Sequence, residues 1–167
     1  MPSLHKTFPQ NIHLMATYNS SLPSRKLQER IVRLFYQVNG QEFEFEEVAN
    51  PTIPDGTVIF NIGLAGEEKF NLINSQQVSE AIKIINEENL QTIDFYIVIR
   101  YYKGKLGKKI PLRFDYYLMR TLFGREILEL QIAHDSGPRY ITPEDLSAFL
   151  FTKLNEGSKK QVLTSTD

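Results

Sequence analysis

The stretch that decides the fold reads IDFYIVIRYY (93–102), KGKLGKK (103–109), PLRFDYYLMRTLF (111–123) and EILELQIAH (126–134). The first piece is dense in β-branched and aromatic residues, which suit a pleated, buried surface, so it is read as a strand buried on both faces at its centre. KGKLGKK is its connection, and PLRFDYYLMRTLF is a second, long strand. Phe123-Gly124-Arg125 turns that strand into EILELQIAH, where Leu128, Leu130 and Ile132 alternate with Glu129 and Gln131. Alternation of period two marks a strand with one dry face and one wet face. Hairpin-linked strands of this kind make an antiparallel sheet.

Working outward, both flanks of this stretch carry helix signals. Upstream, Asn74 and Gln77 stand at N-cap and N3 spacing, and Val78, Ala81, Ile82 and Ile85 form an apolar stripe that runs to about Leu90. Downstream, Asp135-Ser136-Gly137-Pro138-Arg139 breaks the sheet. Thr142-Pro143-Glu144-Asp145 then opens a helix: Thr caps it, Pro occupies N1, and the acids meet the positive end of the dipole. Leu146, Phe149, Leu150 and Leu154 supply its buried face, and Gly157 closes it.

Earlier still, Leu27, Ile31, Leu34, Phe35 and Val38 recur at helical spacing within SRKLQERIVRLFYQV (24–38). Asn39-Gly40 suits a helix end that needs positive φ, although the same dipeptide could turn a hairpin. The helix is favoured because the apolar spacing starts well upstream. QEFEFEEV (41–48) is read as a strand with Phe43 and Phe45 inward and Glu42, Glu44 and Glu46 outward. TVIFNIGL (57–64), a turn at Ala65-Gly66-Glu67-Glu68 and KFNLIN (69–74) complete a three-stranded meander.

The predicted class is α+β: an antiparallel sheet of about six strands with three helices, in the order α-βββ-α-βββ-α, the helices packed mainly on one face. Residues 1–17 are an N-terminal segment, mobile or forming an extra strand over 12–18. Residues 18–156 are one domain, and 157–167 a polar, fraying tail.

Composition excludes several chemistries. The chain has 167 residues, enough for one domain with a real core. It has no Cys, which removes disulfides, thiolate nucleophiles, Cys–zinc sites and iron–sulfur ligation. Its 19 Lys+Arg against 20 Asp+Glu leave a net charge of −1, with no global pull toward nucleic acid or an anionic membrane. The N-terminal MPSLHKTFPQNIHLM lacks an apolar core and a cleavage site, and Phe95–Ile99 is too short to span a bilayer. A cytoplasmic protein with no membrane contact is expected. The three His (His5, His13, His134) show no H-x-x-x-H or H-x-H spacing, so neither a metal nor a cofactor is expected.

Three groups of residues remain as candidates. Arg100, Lys103, Lys105, Lys108, Lys109 and Arg113 could clamp phosphates, with Tyr101, Tyr102, Tyr116 and Tyr117 as stacking faces; a solvated turn is the plainer reading, because the chain lacks the basic excess of a dedicated nucleic-acid binder. Gly104 and Gly107 do not have phosphate-loop spacing, and no helix follows them. His134, Asp135 and Arg139, with Ser136 between, form a polar cluster at a strand end. Sequence neighbours point to opposite faces, and no G-x-S-x-G motif supports a nucleophile, so turn formation is the plainer reading. The glutamates of QEFEFEEV could meet a basic partner or a hard cation, but they line a single strand, as a charge-blunted edge would.

The leading SRKLQERIVRLFYQVNGQEFEFEEV (24–48) and the order of elements over about 24–155 resemble the type III secretion chaperone-like α+β modules. The basic hairpin and a sixth strand depart from that plan. The resemblance implies a non-catalytic, often dimeric module that binds another polypeptide, and it carries over no site residue. The expected function is thus protein binding, with self-association as a homodimer. Nucleic-acid binding through the Lys-rich hairpin is the alternative, and an enzyme centred on His134, Asp135 and Arg139 stands behind both.

Overall fold

A computed structural model describes residues 9, 11–50, 53–66, 69–104, 108–156 and 161–166. The elements are β1 (Leu14–Ser20), α1 (Ser24–Val38), β2 (Glu42–Glu44), α2 (Phe45–Val48), β3 (Gly56–Ala65), β4 (Phe70–Leu72), α3 (Ser75–Glu87), β5 (Thr92–Lys103), β6 (Ile110–Pro111), β7 (Asp115–Gly124), β8 (Ile127–Ser136), α4 (Pro143–Asn155) and β9 (Leu163–Ser165). The class is α+β, and every strand pairing is antiparallel. Among the described residues the sheet has nine strands rather than about six, in the order β2-β3-β5-β7-β8-β1-β9, with β4 on β3 and β6 on β5. Among the described residues there are four helices rather than three.

Each extra element has a local cause. β1 supplies the extra strand expected over 12–18, shifted to Leu14–Ser20, and it lies inside the sheet between β8 and β9. β9 falls within the tail that was expected to fray. Val162 and Leu163 are buried there, and both their amides donate to Asn155 Oδ1, at 2.8 and 2.9 Å. QEFEFEEV is a strand only to Glu44. Phe43 and Phe45 are both buried as expected, but Phe45 starts the helical turn α2 and packs beside Tyr101, at 5.9 Å between ring centroids. PLRFDYYLMRTLF splits likewise: Ile110–Pro111 pairs with Tyr102 and Lys103 as β6, and the long strand starts at Asp115.

The expected meander is also rearranged. β5 pairs with β3 along its length, from Gly56 to Leu64, so β2 and β4 share the remaining edge of β3. Of the turn placed at residues 65–68, Glu67 and Glu68 lie outside the described residues.

α1 and α4 have their expected starts. Thr142 caps α4 by accepting the Asp145 amide at 3.1 Å, and Asn74 caps α3 by accepting the Gln77 amide at 2.8 Å. α3 ends at Glu87, just short of Leu90. Asn39-Gly40 ends α1 instead of turning a hairpin. Asn39 Oδ1 accepts the Ile62 amide at 2.7 Å, and Gly40, at φ 78°, donates its amide to the Phe60 carbonyl at 2.6 Å. The dipeptide therefore clips the helix end to β3.

The helices cover one face of the sheet. Phe35 of α1 meets Phe95 of β5 at 4.3 Å, and Phe149 of α4 packs on both Phe43 and Phe60, at 5.1 and 5.5 Å. Ile93, Phe95, Ile97, Ile99 and Tyr101 point inward and are buried, while Tyr96, Val98, Arg100 and Tyr102 alternate with them, half-buried on the other face. β5 therefore has one dry face, not two. No helix among the described residues is long and apolar enough to cross a membrane.

Candidate functional site

Two features of this architecture carry polar chemistry or open surface. The first is centred on Asp115, a residue that sequence reasoning did not single out. It opens β7, its side chain is 0% exposed, and both carboxylate oxygens are saturated. Oδ1 accepts the Arg139 amide at 2.6 Å and pairs with His134 Nε2 at 2.9 Å. Oδ2 accepts the Tyr101 hydroxyl at 2.5 Å and the Tyr140 amide at 2.9 Å. A buried carboxylate is tolerated only when hydrogen bonds replace its water, and four donors do so here.

The surrounding tyrosines complete the network. Tyr101 Oη accepts the Ile141 amide at 3.2 Å, and Tyr117 donates its hydroxyl to the Ile141 carbonyl. Burial, then the bond to Asp115, pushes the Tyr101 hydroxyl far above the usual phenol range; burial and the Asp115 charge also raise Tyr117. Both hydroxyls stay protonated and act as fixed donors. Gly137 makes the close approach feasible. At φ 111°, a Cβ there would stand 2.3 Å from the Phe114 carbonyl oxygen and 2.5 Å from Asp115 Oδ1.

The structure thus brings together part of the expected polar cluster, but in other roles. His134 serves Asp115 through its ring, and Arg139 does so through its backbone amide. Asp135 is exposed at the β7–β8 bulge and accepts the Tyr96 hydroxyl at 3.2 Å. The His134 ring packs edge-on against Tyr117 at 5.0 Å and His13 at 6.4 Å, and its amide donates to His13 Nδ1 at 3.0 Å. The arrangement staples residues 134–141 to β7 and sets the entry into α4. Among the described residues no three His, Asp or Glu side chains are grouped to hold a metal ion. His5 lies outside the described residues.

The second feature is the outer sheet face. Phe70 of β4 lies over Gly63 and reaches Tyr96 at 5.5 Å, and Tyr96 stacks on Tyr116 at 6.3 Å. The rings form a half-buried row across three strands, flanked by Ile59 and Val98, with Leu72 60% and Met15 59% exposed on the same face. Burial and Asp135 raise the Tyr96 hydroxyl to about 12. Further along this face Arg120 forks onto Asp94, at 2.8 and 3.0 Å.

The basic residues lie along the end of β5 and the connection that follows it. Arg100 is half-buried with its guanidinium over the Tyr102 ring at 5.7 Å, while Lys103, Lys108 and Arg113 are exposed. Lys109 is exposed and pairs with Glu42 of β2. Lys105 lies outside the described residues. Of the four tyrosines expected to offer stacking faces, Tyr101 and Tyr117 point inward and are buried; Tyr102 and Tyr116 alone keep partial exposure. Met119, expected on an outer face, is buried as well. Register parity decides all three.

An open cleft of about 450 Å³ runs between α1 and α4, and most of its charges are internally engaged. Arg33 pairs with Glu29 at 3.1 Å and Lys153 with Glu156 at 3.2 Å, while Arg30 donates to the Leu154 carbonyl at 3.3 Å. No family model, curated protein or solved structure matches this chain.

Proposed function

We propose that this chain is a non-catalytic, cytoplasmic binding module that docks another protein, or a second copy of itself, on the helix-free face of its sheet. The observation that carries this reading is the row Phe70, Tyr96 and Tyr116, bordered by Ile59 and Val98 on a face that no described helix covers. Grouped rings, with the Tyr96 hydroxyl tethered to Asp135, suit a protein interface, where aromatic residues combine a large apolar area with a polar tip. The order α1, β2–β4, α3, β5–β8, α4 follows the chaperone-like plan, from which β1, α2, β6 and β9 depart. The saturation of Asp115 speaks against an acid–base centre, because all four of its hydrogen bonds serve the fold.

A second reading rests on Arg100, Lys103, Lys108, Lys109 and Arg113 beside Tyr102. In that reading the basic end of β5 and the connection that follows it contact nucleic acid.

Affinity capture from native extract distinguishes the two. The native chain is compared with Tyr96→Arg/Tyr116→Arg, whose fold is checked by thermal melting. Loss of captured polypeptide in the folded variant is the expected result. Unchanged capture by that variant would sink the docking face. Recovery of nucleic acid alone, abolished by changing Lys103, Lys108 and Lys109 to Glu, would favour the second reading. Light scattering tests the second copy: a strict monomer at high concentration removes it.

A further inference from the structure

We propose that His13 is a protonation latch, holding the leading end of β1 against β8 at neutral pH and releasing it in mild acid. The claim rests on geometry at the point where the β1–β8 ladder stops. The regular register begins at Leu14 opposite Ile132. Just before it, the His13 amide donates to the Ile132 carbonyl at 2.9 Å, and His13 Nδ1 accepts the His134 amide at 3.0 Å. An imidazole ring therefore takes the amide that a continuing strand backbone would have met.

Only the neutral ring can do this. The imidazolium carries a proton on both nitrogens and has no acceptor. Protonation would set an N–H against the His134 N–H, so proton uptake and the bond exclude each other.

The groups facing His13 come from three directions. His134 of β8 and Arg139 of the following loop disfavour a cation there, and Glu144 of α4 favours it. Behind His134 stand Asp115 and Tyr117 of β7, which bond or pack on the His134 ring. Burial is the largest influence, and the balance holds His13 below its ordinary value of 6.5. The sign follows from that direction. The folded chain prefers the neutral ring, so the contribution of His13 is fully present above pH 6.5 and is lost as the pH falls through the lowered folded value. The opening is confined to the strand end, because six register pairs hold Leu14–Asn19 to β8.

The test is a two-dimensional NMR titration of the full chain from about pH 8 to about pH 5, the range in which imidazoles charge. Hydrogen exchange at the His134 amide is measured against the Leu130 amide within the same strand. In the native chain, His134 protection is expected to fall by roughly tenfold with the midpoint of the His13 ring resonance, the loss of one hydrogen bond. His13→Asn keeps an acceptor near the Nδ1 position without titrating and should retain protection throughout. His13→Phe has no acceptor and should be unprotected at every pH. Two outcomes would overturn the latch. One is a His134 amide indifferent to the His13 titration. The other is a transition that survives unchanged in His13→Asn, which would assign it to His134 or Asp115. Should His13→Phe fail to fold, the native and His13→Asn titrations decide the matter between them.

Discussion

Asp115 shows what one buried charge demands of its neighbours. Its two oxygens take a phenol, an imidazole and two backbone amides, and each donor comes from a different residue of β5 or the 134–140 segment. Removing any donor leaves part of a carboxylate dry, which is costlier than the bond itself. Tyr101→Phe deletes one donor to Asp115 and the acceptor of the Ile141 amide, so it is expected to lower stability by about 1–3 kcal/mol in a urea melt. Gly137→Ala forces both a Cβ against the Phe114 carbonyl and a strained φ. It should cost about 2–3 kcal/mol or more by the same measurement. The tyrosines also set an alkaline limit. Tyr96, Tyr101 and Tyr117 are all raised in the fold, so the folded chain holds protons that the unfolded chain releases. Their contribution is complete below the ordinary phenol value of 10.0 and is lost as the pH rises above it. Urea melts on either side of that value should show the decline, and Tyr101→Phe should flatten it.

At the scale of elements, the ends of helices do more than stop them. Asn39 ties the end of α1 to β3 through the Ile62 amide, and Asn155 ties the end of α4 to β9 through Val162 and Leu163. Asn155→Ala removes the acceptor for two amides and is expected to cost about 1–2 kcal/mol. Its signature is faster hydrogen exchange at Leu163 with little change at Leu130. Thr142→Ala should cost about 1 kcal/mol through the lost cap on α4. Both caps of the sequence reading, Asn74 and Thr142, were legible because a cap is a matter of a few adjacent residues. The end of β2 was not, because Phe-Glu alternation continues through Phe45 while the chain turns into α2. The difference is made by distant residues: Phe45 finds its place beside Tyr101, more than fifty positions away.

For the whole molecule, the consequence of placing every described helix on one side is a sheet with two unlike faces. The inner face is sealed by Phe35, Phe60, Phe95 and Phe149, and the outer one carries the Phe70–Tyr96–Tyr116 row. Stability should follow this layering. Native-state hydrogen exchange is expected to be slowest in β5 and β7, which are paired on both sides, and fastest in β6 and β9, which span two and three residues. Uniform exchange across the nine strands would contradict it. Outer-face substitutions such as Tyr96→Arg should shift the melting temperature far less than Phe95→Ala on the inner face, which should cost about 3–5 kcal/mol.

By itself the sequence determined the α+β class, the span and end of α1, both side-chain caps and the hairpin that joins β7 to β8. All of these rest on local spacing: apolar periods of 3.6 or 2, and turn or cap residues at fixed offsets. Tertiary structure decided the rest. β9 has too little local signal to outweigh its place in a polar tail, and it becomes a strand only because β1, itself paired on β8, offers it an edge. Asp135 and Arg139 stood out by sequence crowding, yet the carboxylate at the centre is Asp115, about twenty residues earlier. Pleat parity and a bulge, set by pairing between distant strands, chose which side chains turn inward and which remain on the open face.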